Sequence, residues 1–330
     1  MERPVRIGHR GHPPNGTGTA TRRPLLSPAA SPAEITIHTV SSFARKACIA
    51  PFLVLLAALI VAGCGGSSDS SSSDETKAAA APPTGAVEVR WQEPASEEDE
   101  LGYELLKASE TELLAETLAE TFQLPNPLTV KGVNGIGGGP FYSPEDNSIT
   151  LPYGFAALIF QVLAEGNPEA SEEELGERVG AVNSFILEHE FGHALIANYE
   201  LPVLGKEEDA ADSIATVLLL KATEGAGYAA AAAAFWADFS GRQEPPAIAD
   251  YADNHSLDLQ RAFDILCWVA GSSEQSFEEV AELEALPEER LATCPGEFEQ
   301  LVSSIGQELE PHVKGGLNLA PAEPAEEETE

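Results

Sequence analysis

The sequence predicts an α+β fold, mostly helical, with one small sheet lying beside a long central helix. Three observations lead there. From Glu172 to Asn198, the apolar residues Leu175, Val179, Val182, Phe185, Ile186, Ala194 and Ile196 recur at helical spacing, with no proline among them. Further helical patterns follow one another as far as Leu309. Strand-like patterning is confined to one short region, residues 128–151, where β-branched residues alternate with Gly- and Pro-rich turns.

Taken in order, residues 1–39 are rich in Arg, Pro and Gly without apolar periodicity and read as a leader outside any folded domain. Residues 40–63 read as a signal peptide: Arg45-Lys46 precede an apolar stretch from Ile49 to Ala62, shorter than the ~18–20 apolar residues a spanning helix needs. The stretch ends in Val61-Ala62-Gly63-Cys64, which resembles a bacterial lipobox and implies cleavage before Cys64 and lipidation of that residue. Residues 64–85, with the Ser-rich run Ser67–Ser73, read as a flexible tether. The expected location is therefore outside the cytoplasmic membrane, held to it through the N-terminal lipid.

A folded domain is expected over residues 86–316, followed by an acidic, disordered tail over 317–330. Leu101 to Phe122 reads as one amphipathic helix. Short strands follow at Leu128–Val133, Phe141-Tyr142 and Ser148–Leu151, with Gly135–Gly139 and Pro144–Asn147 as turns. Gly135–Gly139 lacks the Lys-Ser/Thr pair of a phosphate loop. Beyond the central helix, Pro202 and Gly205 break the pattern, and a second helix runs through Ile214–Leu220. An Ala-rich helix over Tyr228–Phe239, a helix opening near Asn254–Arg261, and helices over Ser276–Leu286 and Pro295–Leu309 complete the domain.

Charge and cysteine usage bound the function. Of 18 Lys/Arg and 54 Asp/Glu in the 330 residues, seven basic and two acidic residues precede Cys64, which leaves 11 basic against 52 acidic groups. So negative a surface excludes nucleic acid as a partner and excludes docking on anionic lipid by charge. With Cys48 in the leader and Cys64 lipidated, Cys267 and Cys294 remain, and two cysteines in an exported domain predict one disulfide.

The chemistry is concentrated in His189-Glu190-Phe191-Gly192-His193. On a helix, His189 and His193 stand one turn apart on one face, so both imidazoles reach a single metal ion. Glu190 projects about 100° round the axis, beside the metal, where it can take a proton from an activated water. Gly192 leaves room for another element to approach. On the second helix, Glu208 and Asp212 are again one turn apart. One carboxylate can complete a His₂Glu zinc site and the next can accept the spare N–H of a liganding histidine. The other histidine with a plausible place in catalysis is His255, which either serves the start of the following helix or donates a hydrogen bond to a developing oxyanion, with Tyr251 as the competing donor.

HExxH followed by ExxxD resembles the gluzincin metallopeptidases. The fuller stretch HEFGHALIANYELPVLGKEEDAAD, together with the block Asn254–Arg261, resembles a bacterial family of putative metallopeptidases catalogued as a domain of unknown function. The resemblance implies His189, His193 and Glu208 as zinc ligands, Glu190 as general base and Asp212 as the partner of His189. Only residues 194–207 separate His193 from Glu208, so the connection must be tight. Glu207 and Asp209 flank Glu208, and the one-turn spacing to Asp212 selects Glu208 among them. A metzincin pattern fails, because its third histidine and its glycine fall on Tyr199 and Ile196. The implied activity is zinc-dependent hydrolysis of a peptide or protein substrate. A lipoprotein that binds zinc or peptide without catalysis is the other reading of the same residues.

Overall fold

The computed structural model describes residues 86–222 and 225–315. The leader, the signal peptide, Cys64, the tether and the tail all lie outside the described residues. Among the described residues no helix is long and apolar enough to cross a membrane.

The described residues open with strand β1 (Val87–Trp91) and helices α1 (Glu97–Ala108) and α2 (Thr111–Thr121). Strands β2 (Leu128–Val133), β3 (Phe141–Ser143) and β4 (Ser148–Pro152) follow, and helix α3 (Tyr153–Gly166) leaves β4 without a gap. Helix α4 (Glu172–Tyr199) is the longest of the described elements. Then come α5 (Glu207–Leu219), α6 (Gly225–Ser240), α7 (Asp258–Ser272), α8 (Glu274–Glu282), the single turn α9 (Glu288–Leu291) and α10 (Cys294–Leu309). The fold is α+β and mostly helical.

The sheet has four strands in the order β1-β2-β4-β3. β1 runs parallel to β2 and β2 parallel to β4, with Val89 opposite Val130 and Val130 opposite Ile149. β3 returns antiparallel to β4, Tyr142 opposite Ile149, and forms one edge. β4 is buried along its whole length, whereas β1 alternates between half-buried and exposed residues, which is what an edge strand covered on one face should show.

Two readings of the N-terminal region are corrected. The single helix over Leu101–Phe122 is two, because Glu110 adopts a left-handed conformation at φ 52° and Ser109 ends the first. A non-glycine residue in that region carries no composition signal of a break. The strand β1 and the helix α3 stand where no element was expected.

Helix α4 is the axis of the molecule. Ser171 caps it: its hydroxyl accepts from the Glu174 N–H, and the Glu174 carboxylate accepts from the Ser171 N–H at 2.7 Å. Glu172, Glu173 and Glu174 occupy the first turn, where the helix dipole favours negative charge. Nearly every side chain from Val179 to Ile196 is buried, so the helix is surrounded by other elements. α5 packs most closely against it. A Cβ on Gly192 would stand 3.2 Å from Ala211 Cα and 3.3 Å from Ala211 O, so the missing side chain is what lets the two helices meet.

Behind α5, α7 is clamped to α10. Cys267 and Cys294 form a disulfide with Cα atoms 5.1 Å apart. The two are 27 residues apart in sequence, and closing a loop of that length contributes about 3.5 kcal/mol. A Cβ on Gly271 would collide with Cys294 O at 2.4 Å, so this contact too requires glycine.

Candidate metal centre

The spacing of His189 and His193 on α4 and the burial of that helix bring both imidazoles to one face against α5. Their Nε2 atoms lie 3.3 Å apart. Glu208, in the first turn of α5, directs Oε2 to 3.2 Å from each of them. Among the described residues these three form the group whose ligand atoms lie within 4.8 Å of one another, and they could hold a metal ion. The donor set fits. Four ligands placed tetrahedrally at 2.0–2.1 Å stand about 3.3–3.4 Å apart, close to the edges seen here. Three protein ligands also leave a position for water or substrate.

Each histidine is held from behind by a carboxylate of α5. His189 Nδ1 meets Asp212 Oδ1 at 2.7 Å, and His193 Nδ1 meets Glu207 Oε1 at 2.9 Å. Asp212 is itself gripped by Arg261 of α7, whose Nε and Nη2 donate to Oδ2 and Oδ1, both at 2.7 Å. The Arg261 guanidinium lies 3.7 Å above the Trp236 ring of α6. Four elements, α4 to α7, therefore converge on the imidazole of His189.

Electrostatics follow from this packing. Burial opposes the charged form of His189, but the charge and hydrogen bond of Asp212, with Glu208, raise its pKa to about 9. Burial also opposes ionisation of Glu208 and Asp212, yet hydrogen bonds from His189, His193 and His255 hold the first carboxyl below its ordinary range, and Arg261 with His189 does the same for the second. Glu190 is buried beside the histidines. Burial pushes its pKa up, against the pull of His189 and His193. A carboxyl poised in this way suits proton transfer.

His255 reaches the same place. Its Nε2 lies 2.9 Å from Glu208 Oε2, its Nδ1 lies 3.2 Å from Asp253 Oδ1, and Lys206 Nζ donates to its carbonyl. It does not cap α7; there Gln260 Oε1 accepts from the Leu257 N–H. Tyr251 is two-thirds exposed.

Two residues escaped the sequence reading. Glu207 was weighed only as a rival of Glu208 and instead supports His193. Arg261 was seen as part of a helix start. The signal for it is an arginine on the mostly apolar inner face of an amphipathic helix, with Ala262, Ile265, Leu266 and Val269 buried around it.

A family model whose description reads "Putative metallopeptidase" matches residues 91–308, a span that includes every residue of this centre. No curated protein and no solved structure matches the chain.

Proposed function

The chain belongs to the "Putative metallopeptidase" family, and on that premise we propose that it is a zinc-dependent peptidase anchored to the cell envelope. One observation carries the reading: His189 Nε2, His193 Nε2 and Glu208 Oε2 converge within 3.3 Å of one another, with the Glu190 carboxyl buried beside them.

His189, His193 and Glu208 would hold the metal. A zinc ion bound there supplies Lewis acidity toward a water molecule and toward the substrate carbonyl. Asp212 and Glu207 fix the imidazoles so that each Nε2 faces inward. Glu190 takes a proton from the attacking water at its carboxylate and later returns one to the departing amine, which balances hydrolysis of an amide to acid and amine. His255 Nε2 meets Glu208 Oε2 and would orient that carboxylate, so it donates to a developing oxyanion only by giving up this contact. The edge of β3 offers N–H and C=O groups to an extended substrate beside α4.

The test is a comparison of wild type with Glu190→Gln. The variant should keep its zinc and lose hydrolysis of an unstructured protein by at least about a hundredfold. Full activity in the variant overturns the role of Glu190. Zinc binding without turnover in the wild type favours a non-catalytic zinc- or peptide-binding protein. Anchoring at Cys64 rests on the lipobox-like sequence, the following tether and the disulfide of an exported domain. Cys64→Ser should release the protein from membranes or leave an uncleaved precursor; processed protein that stays on the membrane refutes the anchor.

A further inference from the structure

A polar cleft of about 570 Å³ lies at the C-terminal end of α4, between that helix and the β3–β4 hairpin. It continues the metal face. Ala197, in its wall, is one turn beyond His193 on the same side of the helix, an advance of about 6 Å. Across the cleft stands Tyr142 of the edge strand β3, whose hydroxyl accepts from Asn198 Nδ2 at 3.3 Å. An extended peptide advances about 3.3 Å per residue, so a side chain about two residues from the reacting bond would reach this cleft.

The chemistry of the walls is selective. Asn147 Oδ1 accepts from the Tyr142 hydroxyl at 2.7 Å and from Asn198 Nδ2 at 2.9 Å, while Asn147 Nδ2 donates to the backbone carbonyls of Asn126 and Pro127. These amides engage one another and stiffen the walls. Glu200, which ends α4 in a left-handed conformation at φ 52°, adds a carboxylate. The Tyr199 hydroxyl is buried with no hydrogen-bond partner, and its ring stacks on His312 with centroids 3.7 Å apart. No lysine or arginine lines the cleft among the described residues. Aromatic faces and the single full negative charge of Glu200 match a ligand with an apolar stem and a cationic tip. The 52 acidic against 11 basic groups from Cys64 onward also draw cationic substrates toward the molecule.

We propose that this cleft is a specificity subsite for a Lys or Arg side chain about two residues from the scissile bond, with Glu200 as its charge-reading residue. The proposal rests on the peptidase reading and names its substrate class. The probe is a set of quenched fluorescent peptides carrying lysine or its neutral counterpart norleucine at successive positions, with the zinc-loaded protein. At one position the ratio of kcat/KM for lysine over norleucine should be about threefold or more, as expected for an ion pair with an exposed carboxylate. That ratio should fall toward one in Glu200→Gln and below one in Glu200→Lys. Gln keeps the length and shape of the glutamate side chain, and if the reversed charge disturbs folding the neutral variant decides. A wild type indifferent to lysine at every position, or a preference that survives in Glu200→Gln, overturns the proposal. Should no peptide be cleaved, the hydrolase reading fails and calorimetry of the same peptides on Glu190→Gln judges the subsite. Tighter binding of the lysine peptide that disappears in Glu190→Gln/Glu200→Gln supports it, and equal binding refutes it.

Discussion

His189 and His193 sit one turn apart on the same helix, yet the carboxylates behind them differ in almost every physical respect. Asp212 is 4% exposed and is gripped through both oxygens by Arg261, itself 6% exposed and stacked on Trp236. Glu207, behind His193, is half exposed and belongs to the first turn of α5, next to the connection from α4. Hydrogen bonds of 2.7 and 2.9 Å look alike on paper. Their rigidity does not, because one carboxylate is fixed by a third element and the other is free to exchange its partner for water. The centre thus has a rigid half and an adjustable half.

The largest effect should come from the rigid half. Arg261→Met leaves a buried carboxylate without its cation, and breaking a buried pair costs about 3–5 kcal/mol. Urea unfolding of the metal-free protein measures it. Glu207→Gln, on the exposed side, should change stability by no more than about 0.5 kcal/mol. Equal losses in the two variants would erase the distinction.

Metal affinity sharpens the comparison further. Removing a carboxylate that orients a liganding histidine typically weakens binding about 10–100-fold, and Asp212→Asn should fall in that range. Glu207→Gln should lose less than about tenfold, since water can take over at His193 Nδ1. Competition against a chelator of known affinity gives both numbers. A Glu207 variant weaker than the Asp212 variant would reverse the assignment of the two halves.

How much of this was legible in the sequence depended on distance along the chain. The pairs His189/His193 and Glu208/Asp212 are one-turn spacings, so local helical geometry alone predicted which faces they share. β2, β3 and β4 were legible because turn residues punctuate them. The Arg261–Asp212 pair spans 49 residues and three helices, and no local pattern encodes it. The spacing to Asp212 singles out Glu208, but the role of Glu207 is not legible, because which imidazole it faces depends on the rotation of α5 against α4. β1 did carry a signal, the alternation Val87-Glu88-Val89-Arg90-Trp91, but it is meaningful only once its parallel partner β2 is identified about 40 residues on. α3 was hidden for another reason. Its apolar stretch begins directly at the end of β4, so Pro152-Tyr153-Gly154 reads as the close of a strand, and period 2 passes into period 3.6 with no separate loop between them.

The subtlest difference between the halves concerns protons. Without metal, His189 has its pKa raised to about 9, because Asp212 and Glu208 outweigh the opposing effect of burial. Below that pH the imidazole carries a proton that an incoming metal must displace, so apparent affinity should rise with pH, by up to about tenfold per unit for one proton, and level off above about 9. Asp212→Asn removes the anion that stabilises the protonated ring, and the plateau should then begin at lower pH. The affinities of wild type and this variant should therefore differ most at high pH and draw together as the pH falls. Glu207→Gln leaves Asp212 in place and should keep the wild-type plateau while lying slightly below it. Chelator competition from pH about 6 to about 10 reads all three curves. If the three rise in parallel and level off at one pH, Asp212 orients His189 without governing its proton, and the rigid half is only mechanical.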